Sequence, residues 1–410
     1  MKFLFVSNYI NHHQIPFCNA MYDLLGEEFA FLQTEPMEEE RIRMGWQQNV
    51  ELPYLLKYYE EPERGKQLIA GSQVVLFGGV EDERYIAERL RRGAPVVRYS
   101  ERLYREGQWK AISPRGLRRK YLDHTRYRRR NVYMLCSGAY VPSDFHIVGA
   151  YPDKLLRWGY FPETRSFEVE RLFADKKPGK ILWAARFLRL KHPELAIEAA
   201  KWLRDREYDF HMDIIGGGEL EPDVRAWIQQ YQLEEHVTLR GFLTPSKVRE
   251  AMEEADIFLA TSDRNEGWGA VLNEAMNSGC AVVADHMMGG VPFLIRHEEN
   301  GLIYRDGDVE MFCRQVEKLV QNRGLCRKLG ENAYRTITEQ WNAQMAAKRL
   351  IALCVRLQFI QVEELRNATQ WNAEQFDGKD DFPSQGPCSH APVISERHML
   401  EWLMRGKFSC

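Results

Sequence analysis

Along the chain, short continuous apolar runs alternate with longer stretches whose apolar positions recur at helical spacing. Leu4–Ser7, Phe29–Gln33, Val74–Phe77, Val96–Tyr99 and Val132–Cys136 are unbroken runs rather than alternating ones. That pattern predicts parallel strands buried on both faces. Pro16–Leu25 and Tyr85–Arg92 carry helical patterning between them. The rhythm lapses over 161-179, where Phe161-Pro162-Glu163-Thr164 and Lys176-Lys177-Pro178-Gly179 punctuate a polar stretch. It restarts with strands at Ile181–Ala184, His211–Ile215, Val237–Arg240, Ile257–Thr261 and Ala281–Ala284. Helices are predicted at Pro193–Arg204, Asp223–Gln230, Pro245–Glu254 and Ala270–Asn277. The expectation is an α/β chain of two doubly wound Rossmann-like domains, 1-160 and 180-345, joined by a linker over 161-179. Two such domains facing each other would leave a cleft, the usual ligand site of this architecture. Residues 309–365 read as helical. The rest is richer in Asp, Pro, Ser and Gln, breaks at Ser384-Gln385-Gly386-Pro387 and ends in a short helix, Ser395–Met404. Residues 346-410 are therefore expected to form a C-terminal helix and a loosely docked tail.

Composition narrows the class. The 410 residues are 44% hydrophobic and 28% charged with a net charge of −3, which excludes wholesale disorder and argues against a dedicated nucleic-acid binder. Eight cysteines, at 18, 136, 280, 313, 326, 354, 388 and 410, form no C-x-x-C and no zinc-finger spacing, so a reducing, cytoplasmic setting is expected. The run Met1–Asn8 is too short for a signal peptide and reads as a first strand. No stretch approaches the roughly 18 apolar residues of a membrane span. The nearest, around 345–360, is broken by Lys348, Arg349 and Arg356, so any membrane contact is expected to be peripheral.

The densest candidate chemistry is Glu266-Gly267-Trp268-Gly269-Ala270-Val271-Leu272-Asn273-Glu274, which follows a predicted strand. One carboxylate lies in a Gly-rich loop and the other in the helix after it. The loop would sit at the carboxyl end of a strand, where such sheets bind ligands. The helix start offers unpaired N–H groups and a positive dipole end suited to phosphate. The plainer reading is a Gly-containing turn with surface acids. Arg186 and Lys191 follow another strand, and a guanidinium fork with an ammonium point charge suits a diphosphate. Solvated basic residues at a strand end are the plainer alternative, and Arg189 between them reads equally as a surface residue. Gly216-Gly217-Gly218 lacks a full G-x-G-x-x-G and reads as a tight turn near a nucleotide. Asp306-Gly307-Asp308 reads as a turn feeding the next helix rather than a metal site; no metal and no cofactor are expected.

Arg186-x4-Lys191, Asp213–Leu220, Val237–Phe242, Glu266-x7-Glu274, Ala275-Met276, Gly279, Ala281–Ala284 and Asn300–Ile303 come in this order. The series resembles the donor-binding domain of retaining glycosyltransferases of family 4 (glycosyl transferases group 1), which have the GT-B fold. The likeness covers about 180–345. Trp158-Gly159-Tyr160-Phe161-Pro162 resembles the family's entry into the interdomain linker. The resemblance implies that Arg186 and Lys191 neutralise a nucleotide diphosphate, Glu274 binds ribose hydroxyls and Glu266 binds the transferred sugar. Backbone around Arg240, Gly241 and Phe242 would hold the base, with Gly216 and Gly217 nearby. Amides of Gly269, Ala270 and Val271 would cap the distal phosphate. The implied catalytic set is thus Arg186, Lys191 and Glu266. Retention in the family is described as front-face attack, so no covalent nucleophile is assigned.

The first half departs from the family pattern. After its first strand stands Asn8-Tyr9-Ile10-Asn11-His12-His13-Gln14 instead of a Gly-rich loop, and Tyr99-Ser100-Glu101-Arg102 stands where the family often has a histidine. His12 and His13 are candidates for facing acceptor and leaving phosphate, or are polar residues of a helix start. Glu101 is a candidate for touching sugar or acceptor. Glu101 and Glu266 as a glycosidase pair are compatible with composition alone. Arg115–Arg130 holds basic residues at 115, 118, 119, 120, 126, 128, 129 and 130 with Asp123 as the one acid, interleaved with Leu117, Tyr121, Leu122 and Tyr127. An anionic membrane would attract it, as fits a lipid-linked acceptor. A solvated basic helix or a patch for another anionic partner is the alternative, and RNA is disfavoured because no recognition module accompanies it. The expected partners are a nucleotide sugar and a glycan or lipid-linked saccharide, with no nucleic acid. The expected activity is transfer of a hexose-type sugar from a UDP- or GDP-sugar in cell-surface polysaccharide synthesis, at the inner face of the membrane. A sugar-nucleotide epimerase and a non-catalytic nucleotide-sugar scaffold are the rivals.

Overall fold

A computed structural model describes residues 1–39, 51–174, 176–361 and 385–404. Ser384 of the predicted break, residues 362–365 of the predicted helical stretch and Cys410 lie outside the described residues. The chain divides into two compact units.

The first unit comprises Met1–Glu163 and Asn342–Ile394. Its sheet has seven strands: β1 (Phe3–Ser7), β2 (Phe29–Gln33), β3 (Leu55–Lys57), β4 (Val74–Phe77), β5 (Val96–Ser100), β6 (Val132–Ser137) and β7 (Leu155–Trp158). Their order is β3-β2-β1-β4-β5-β6-β7, with every pair parallel. Every residue of β1, β2 and β4 is buried, which is why these strands read as unbroken apolar runs. Phe5 stands opposite Phe31 on one side and Leu76 on the other. Pro16 occupies the first turn of the helix Ile15–Leu25, where its missing N–H costs nothing.

The second unit comprises Thr164–Trp341 and the chain from Ser395 onward. Its strands are β8 (Lys177–Ala184), β9 (His211–Ile215), β10 (Val237–Gly241), β11 (Ala255–Ala260), β12 (Ala281–Asp285) and β13 (Leu302–Tyr304). The order is β10-β9-β8-β11-β12-β13, again all parallel. Trp183, Ile197, Met212, Ile214, Ile257 and Val283 belong to its core. In each sheet the strand order reverses once, between β1 and β4 and between β8 and β11. Such reversals open a crevice at the carboxyl ends of the flanking strands.

The expected boundaries shift. The stretch 161-179 is not a free linker: helix Val169–Ala174 and the start of β8 lie in it, and both belong to the second unit. Nor is 346-410 a separate extension. Helix Ala343–Arg356 packs on helix Ile15–Leu25 of the first unit. Eight of its fourteen residues are buried, so it is a core element. His390 bridges Leu156, and Ala391 N–H donates to Leu155 at 3.0 Å, extending the first sheet beyond β7. Helix Glu396–Met404 belongs to the second unit, tied by Glu396 to Arg264 at 2.6 Å. The seven described cysteines are buried and free, and no helix among the described residues is long and apolar enough to cross a membrane.

Candidate active site

In the second unit Arg186, Lys191, Gly216, Gly217, Glu266 and Glu274 lie in the segments after β8, β9 and β11, while Arg240 and Gly241 end β10 itself. The segment after β8 runs through Arg186 into a short turn, Arg189–Lys191, and then helix Pro193–Arg204. Gly216, Gly217 and Gly218 hold it from below. Phe187 N–H donates to Gly217 O at 2.9 Å, and Leu220 N–H donates to Phe187 O at 3.1 Å. A Cβ on Gly216, where φ is +139°, would lie 1.9 Å from the Ala185 carbonyl oxygen. The three glycines are therefore a tight turn that seats the Arg186 segment. Arg186 itself is exposed.

Lys191 is fixed through its backbone. Its carbonyl accepts from Thr261 Oγ1 at 2.6 Å, and the preceding Leu190 carbonyl accepts from Asp263 N–H at 3.0 Å. Its ammonium meets the Glu266 carboxylate. Lys191 and Glu266, 75 residues apart, are thus brought together across the β8/β11 reversal. Next to Lys191, His192 adopts φ +49° and lies between Glu194, at 2.6 Å, and Asp263, at 3.3 Å. Hydrogen bonds to Asp263 and Glu194 outweigh the burial of its ring and raise its pKa to about 10. The imidazolium adds a second positive charge beside Lys191. His192 and Asp263 escape sequence reasoning because a lone His before Pro193 has no motif of its own.

The Gly-rich loop is held on both sides. Trp268 is fully buried, donates from Nε1 to Asn273 Oδ1 at 2.8 Å and packs on Trp341. Across from it, Gly289 N–H donates to Glu266 O and Gly290 N–H to Trp268 O, both at 3.0 Å. A Cβ on Gly289 would fall 1.9 Å from Gly267 O. The segment Met287–Gly290 after β12 is therefore the second wall of the loop, missed at the sequence level; its Gly-Gly pair was the available signal. Gly269, at φ +86°, opens helix Ala270–Asn277. The first-turn amides of Ala270 and Val271 have no acceptor within the helix. Glu274 is half-buried on the same helix. At β10, Gly241 O accepts from Gly216 N–H at 2.9 Å, and Phe242 is exposed. The Arg240 guanidinium turns instead to Asp213, at 3.1 Å, which leaves its backbone as the part placed beside the glycine turn. Asp308 accepts from Met311 N–H at 2.9 Å and caps helix Val309–Gln321, so Asp306-Gly307-Asp308 is a capped turn. At the end of β12, burial raises Asp285 to about 6.

The first unit has its own cavity, about 730 Å³, at the β1/β4 reversal. It brings together His13, Glu101 and Tyr160, with Asn8, Gln14 and Tyr99. One Glu101 oxygen accepts from Tyr160 Oη, and the other meets Arg105. The Tyr160 ring stacks on His13, with centroids 6.4 Å apart. His12 and His13 lie in the turn before helix Ile15–Leu25, rings 3.8 Å apart. Burial, then the neighbouring His12, lowers His13 to about 3, so its imidazole is neutral. Tyr99, pushed up to about 12 by burial, shares its hydroxyl with Ser7 at 3.1 Å and Gln14 at 3.3 Å. Below the cavity, buried Asp144 pins the Glu101 loop. It accepts from Arg102 Nη2 at 3.2 Å, Tyr104 N–H at 3.1 Å and Gln108 Nε2 at 2.9 Å.

Comparison with known proteins bears on both units. Residues 164–336 match the family model for glycosyl transferases group 1. Over 206 residues the chain is 31% identical to the amylovoran biosynthesis glycosyltransferase AmsK of Erwinia amylovora, covering 49% of this chain and 50% of that one. Over 193 residues it is 28% identical to the putative colanic acid biosynthesis glycosyltransferase WcaL of Escherichia coli K12, covering 46% and 47%. The chain thus spans about half the length of the curated relatives it matches. Among solved structures it resembles Anabaena Alr3699/HepE in complex with UDP, with TM-score 0.61 and 14% identity, covering 87% of this chain and 99% of that one. It also resembles the lipopolysaccharide outer core galactosyltransferase WaaB, with TM-score 0.61 and 16% identity, covering 86% and 98%.

Proposed function

With two Rossmann-like units of the GT-B fold and a segment matching glycosyl transferases group 1 as premise, we propose that this chain is a retaining glycosyltransferase of family 4. It moves a hexose-type sugar from a UDP- or GDP-sugar to a glycan or lipid-linked saccharide. The setting is cell-surface polysaccharide synthesis at the cytoplasmic face of a membrane, which Arg115–Arg130 contacts peripherally. The observation that carries this reading is the meeting of Lys191 with Glu266 across one strand-order reversal, on the loop that leads into helix Ala270–Asn277.

In this reading the donor diphosphate displaces the Glu266 carboxylate from the Lys191 ammonium. Arg186, Lys191 and the amides of Ala270 and Val271 then face the phosphate oxygens. Negative charge on the departing diphosphate grows in the transition state, so cations already fixed there lower the barrier without a metal or other cofactor. Glu266, released from Lys191, accepts hydrogen bonds from hydroxyls of the transferred sugar. Glu274 accepts from the ribose, and backbone at Arg240, Gly241 and Phe242 borders the base. The anomeric carbon–phosphate oxygen bond breaks as the acceptor hydroxyl attacks from the same face, and the departing phosphate takes the acceptor proton. Glu101, His13 and Tyr160 line the acceptor side.

Thermal stabilisation by nucleoside diphosphates tests the donor site, since a ligand that binds only the folded state raises the melting temperature by mass action. UDP or GDP should stabilise the wild type and not Lys191→Ala. No shift by any nucleotide at millimolar concentration overturns the reading. Donor binding without turnover would identify a scaffold instead, and an α-linked product from an α-linked donor, read by NMR, would establish retention.

A further inference from the structure

His192 stands in the left-handed region, at φ +49° and ψ +57°. Glycine adopts that conformation freely, whereas a residue with a Cβ is strained there and persists only where its surroundings hold it. Two carboxylates hold this one. Nδ1 lies 2.6 Å from Glu194 Oε1, and Nε2 lies 3.3 Å from Asp263 Oδ2. A neutral imidazole has a single N–H, so one of its nitrogens would turn a lone pair toward a carboxylate oxygen. Both contacts are satisfied together only by the doubly protonated ring, with each nitrogen donating. Glu194 lies in the first turn of helix Pro193–Arg204, two residues on, and fixes the ring from its own side of the sheet reversal. Asp263 comes from the turn after β11, 71 residues away.

Asp263 organises the turn that carries Glu266. Its carbonyl accepts from Glu266 N–H at 3.1 Å, its Oδ1 accepts from Asn265 N–H at 2.8 Å, and its own N–H donates to Leu190 O at 3.0 Å. Two neighbouring ion pairs therefore join the turn of Lys191 to the turn of Glu266: Lys191–Glu266 and His192–Asp263. They differ in their fate. In the glycosyltransferase reading the donor diphosphate breaks the first pair. The second involves no group assigned to the donor, and among the described residues it is the ion pair that still spans the two turns.

We propose that His192 is a positioning residue, which bridges Glu194 and Asp263 to keep the turns of Lys191 and Glu266 in register while the donor parts their side chains. Lys191 then meets the phosphate, and Glu266 the sugar, from backbones that do not drift. Charge growing on the departing diphosphate finds its cation already placed. A glycine at 192 would make an easier turn and no clamp. The clamp follows from the geometry; its service to transfer rests on the glycosyltransferase reading above.

The test compares wild type with His192→Gly, Asp263→Asn and the double variant. Glycine suits φ +49°, so His192→Gly removes the clamp without straining the turn. Amide exchange at Asp263 and Glu266, followed without nucleotide and with UDP or GDP, should be roughly tenfold faster in His192→Gly while the amides of β11 keep their rates. With UDP-glucose or GDP-mannose as donor, release of the diphosphate at saturation should be about tenfold slower in each single variant, with the donor KM little changed. The double variant should be no slower than the single ones, because the two residues act through one contact. Wild-type turnover in His192→Gly, a loss confined to KM, losses that multiply in the double variant, or unchanged exchange at Asp263 and Glu266 would each overturn the proposal. A wild type that neither binds a nucleoside diphosphate nor turns over a donor removes the glycosyltransferase reading instead. In that case faster exchange in ligand-free His192→Gly still sustains the clamp, and unchanged exchange overturns it.

Discussion

The two units share a plan: a parallel sheet, one reversal of strand order, and functional candidates at the carboxyl ends of the strands. They differ in how the candidates are held. In the second unit the cations and the Gly-rich loop are fixed mostly by backbone hydrogen bonds and glycine contacts, as at Leu190–Asp263, Gly289–Glu266 and Gly216–Ala185. In the first, side chains hold side chains: Asp144 grips Arg102 and Gln108, Glu101 takes Tyr160 and Arg105, and Tyr99 joins Ser7 to Gln14. Backbone fixation leaves a motif in the sequence, because only glycine fits and the spacing is rigid. Side-chain networks leave none, because their members come from distant strands and several residue types could serve.

The largest effect should come from the side-chain side of this contrast. Asp144→Ala leaves Arg102 buried without its carboxylate and should cost about 4 kcal/mol, seen as a lowered denaturation midpoint. Gly289→Ala tests the backbone side. Its Cβ meets a carbonyl oxygen, and the expected loss is about 3 kcal/mol, with the loop's donor response gone as well. Lys191→Ala should leave folding nearly intact while lowering transfer about a hundredfold, near 2.7 kcal/mol of barrier. Equal losses of stability in Asp144→Ala and Lys191→Ala would erase the distinction between the units. Glu101→Gln keeps shape and removes charge; a roughly tenfold loss of transfer with unchanged nucleotide binding is expected if the acceptor alone meets it.

The smallest effect is a pH profile. His192 has its pKa raised from 6.5 to about 10 in the folded chain. Its stabilising contribution is therefore complete below about pH 6.5 and lost as pH rises through about 10. Melting temperature should fall over that window in wild type, and His192→Gln should flatten the fall. A parallel fall in both proteins would mean that Asp263 and Glu194 do not hold the proton there.

The same contrast accounts for what could be read ahead of the structure. Fully buried strands such as Phe29–Gln33 and Ala281–Asp285 were visible because burial on both faces demands unbroken apolar runs. Leu55–Lys57 was not: it is three residues long, at the sheet edge, with no buried position. Leu155–Trp158 hid because Arg157 interrupts it, although all four residues are buried. Glu266 through Glu274 could be found because the loop and helix are contiguous. The cavity around Glu101 draws on residues from Asn8 to Tyr160, and no local pattern joins them. The place of helix Ala343–Arg356 was invisible for the same reason: its apolar face reveals a partner but not which one.

That helix has a consequence for the order in which the chain becomes protein. The first sheet is translated before the second unit, yet a core helix of its own arrives only after Trp341. Until then, buried faces of helix Ile15–Leu25 lack part of their cover. Closing a loop of more than three hundred residues is slow compared with local folding. The second unit, nearly contiguous from Thr164 to Trp341, can condense while the ribosome is still at work. The half of the molecule that is synthesised first therefore waits for its core helix until most of the second unit has emerged, and during that interval it depends on whatever shields nascent hydrophobic surface.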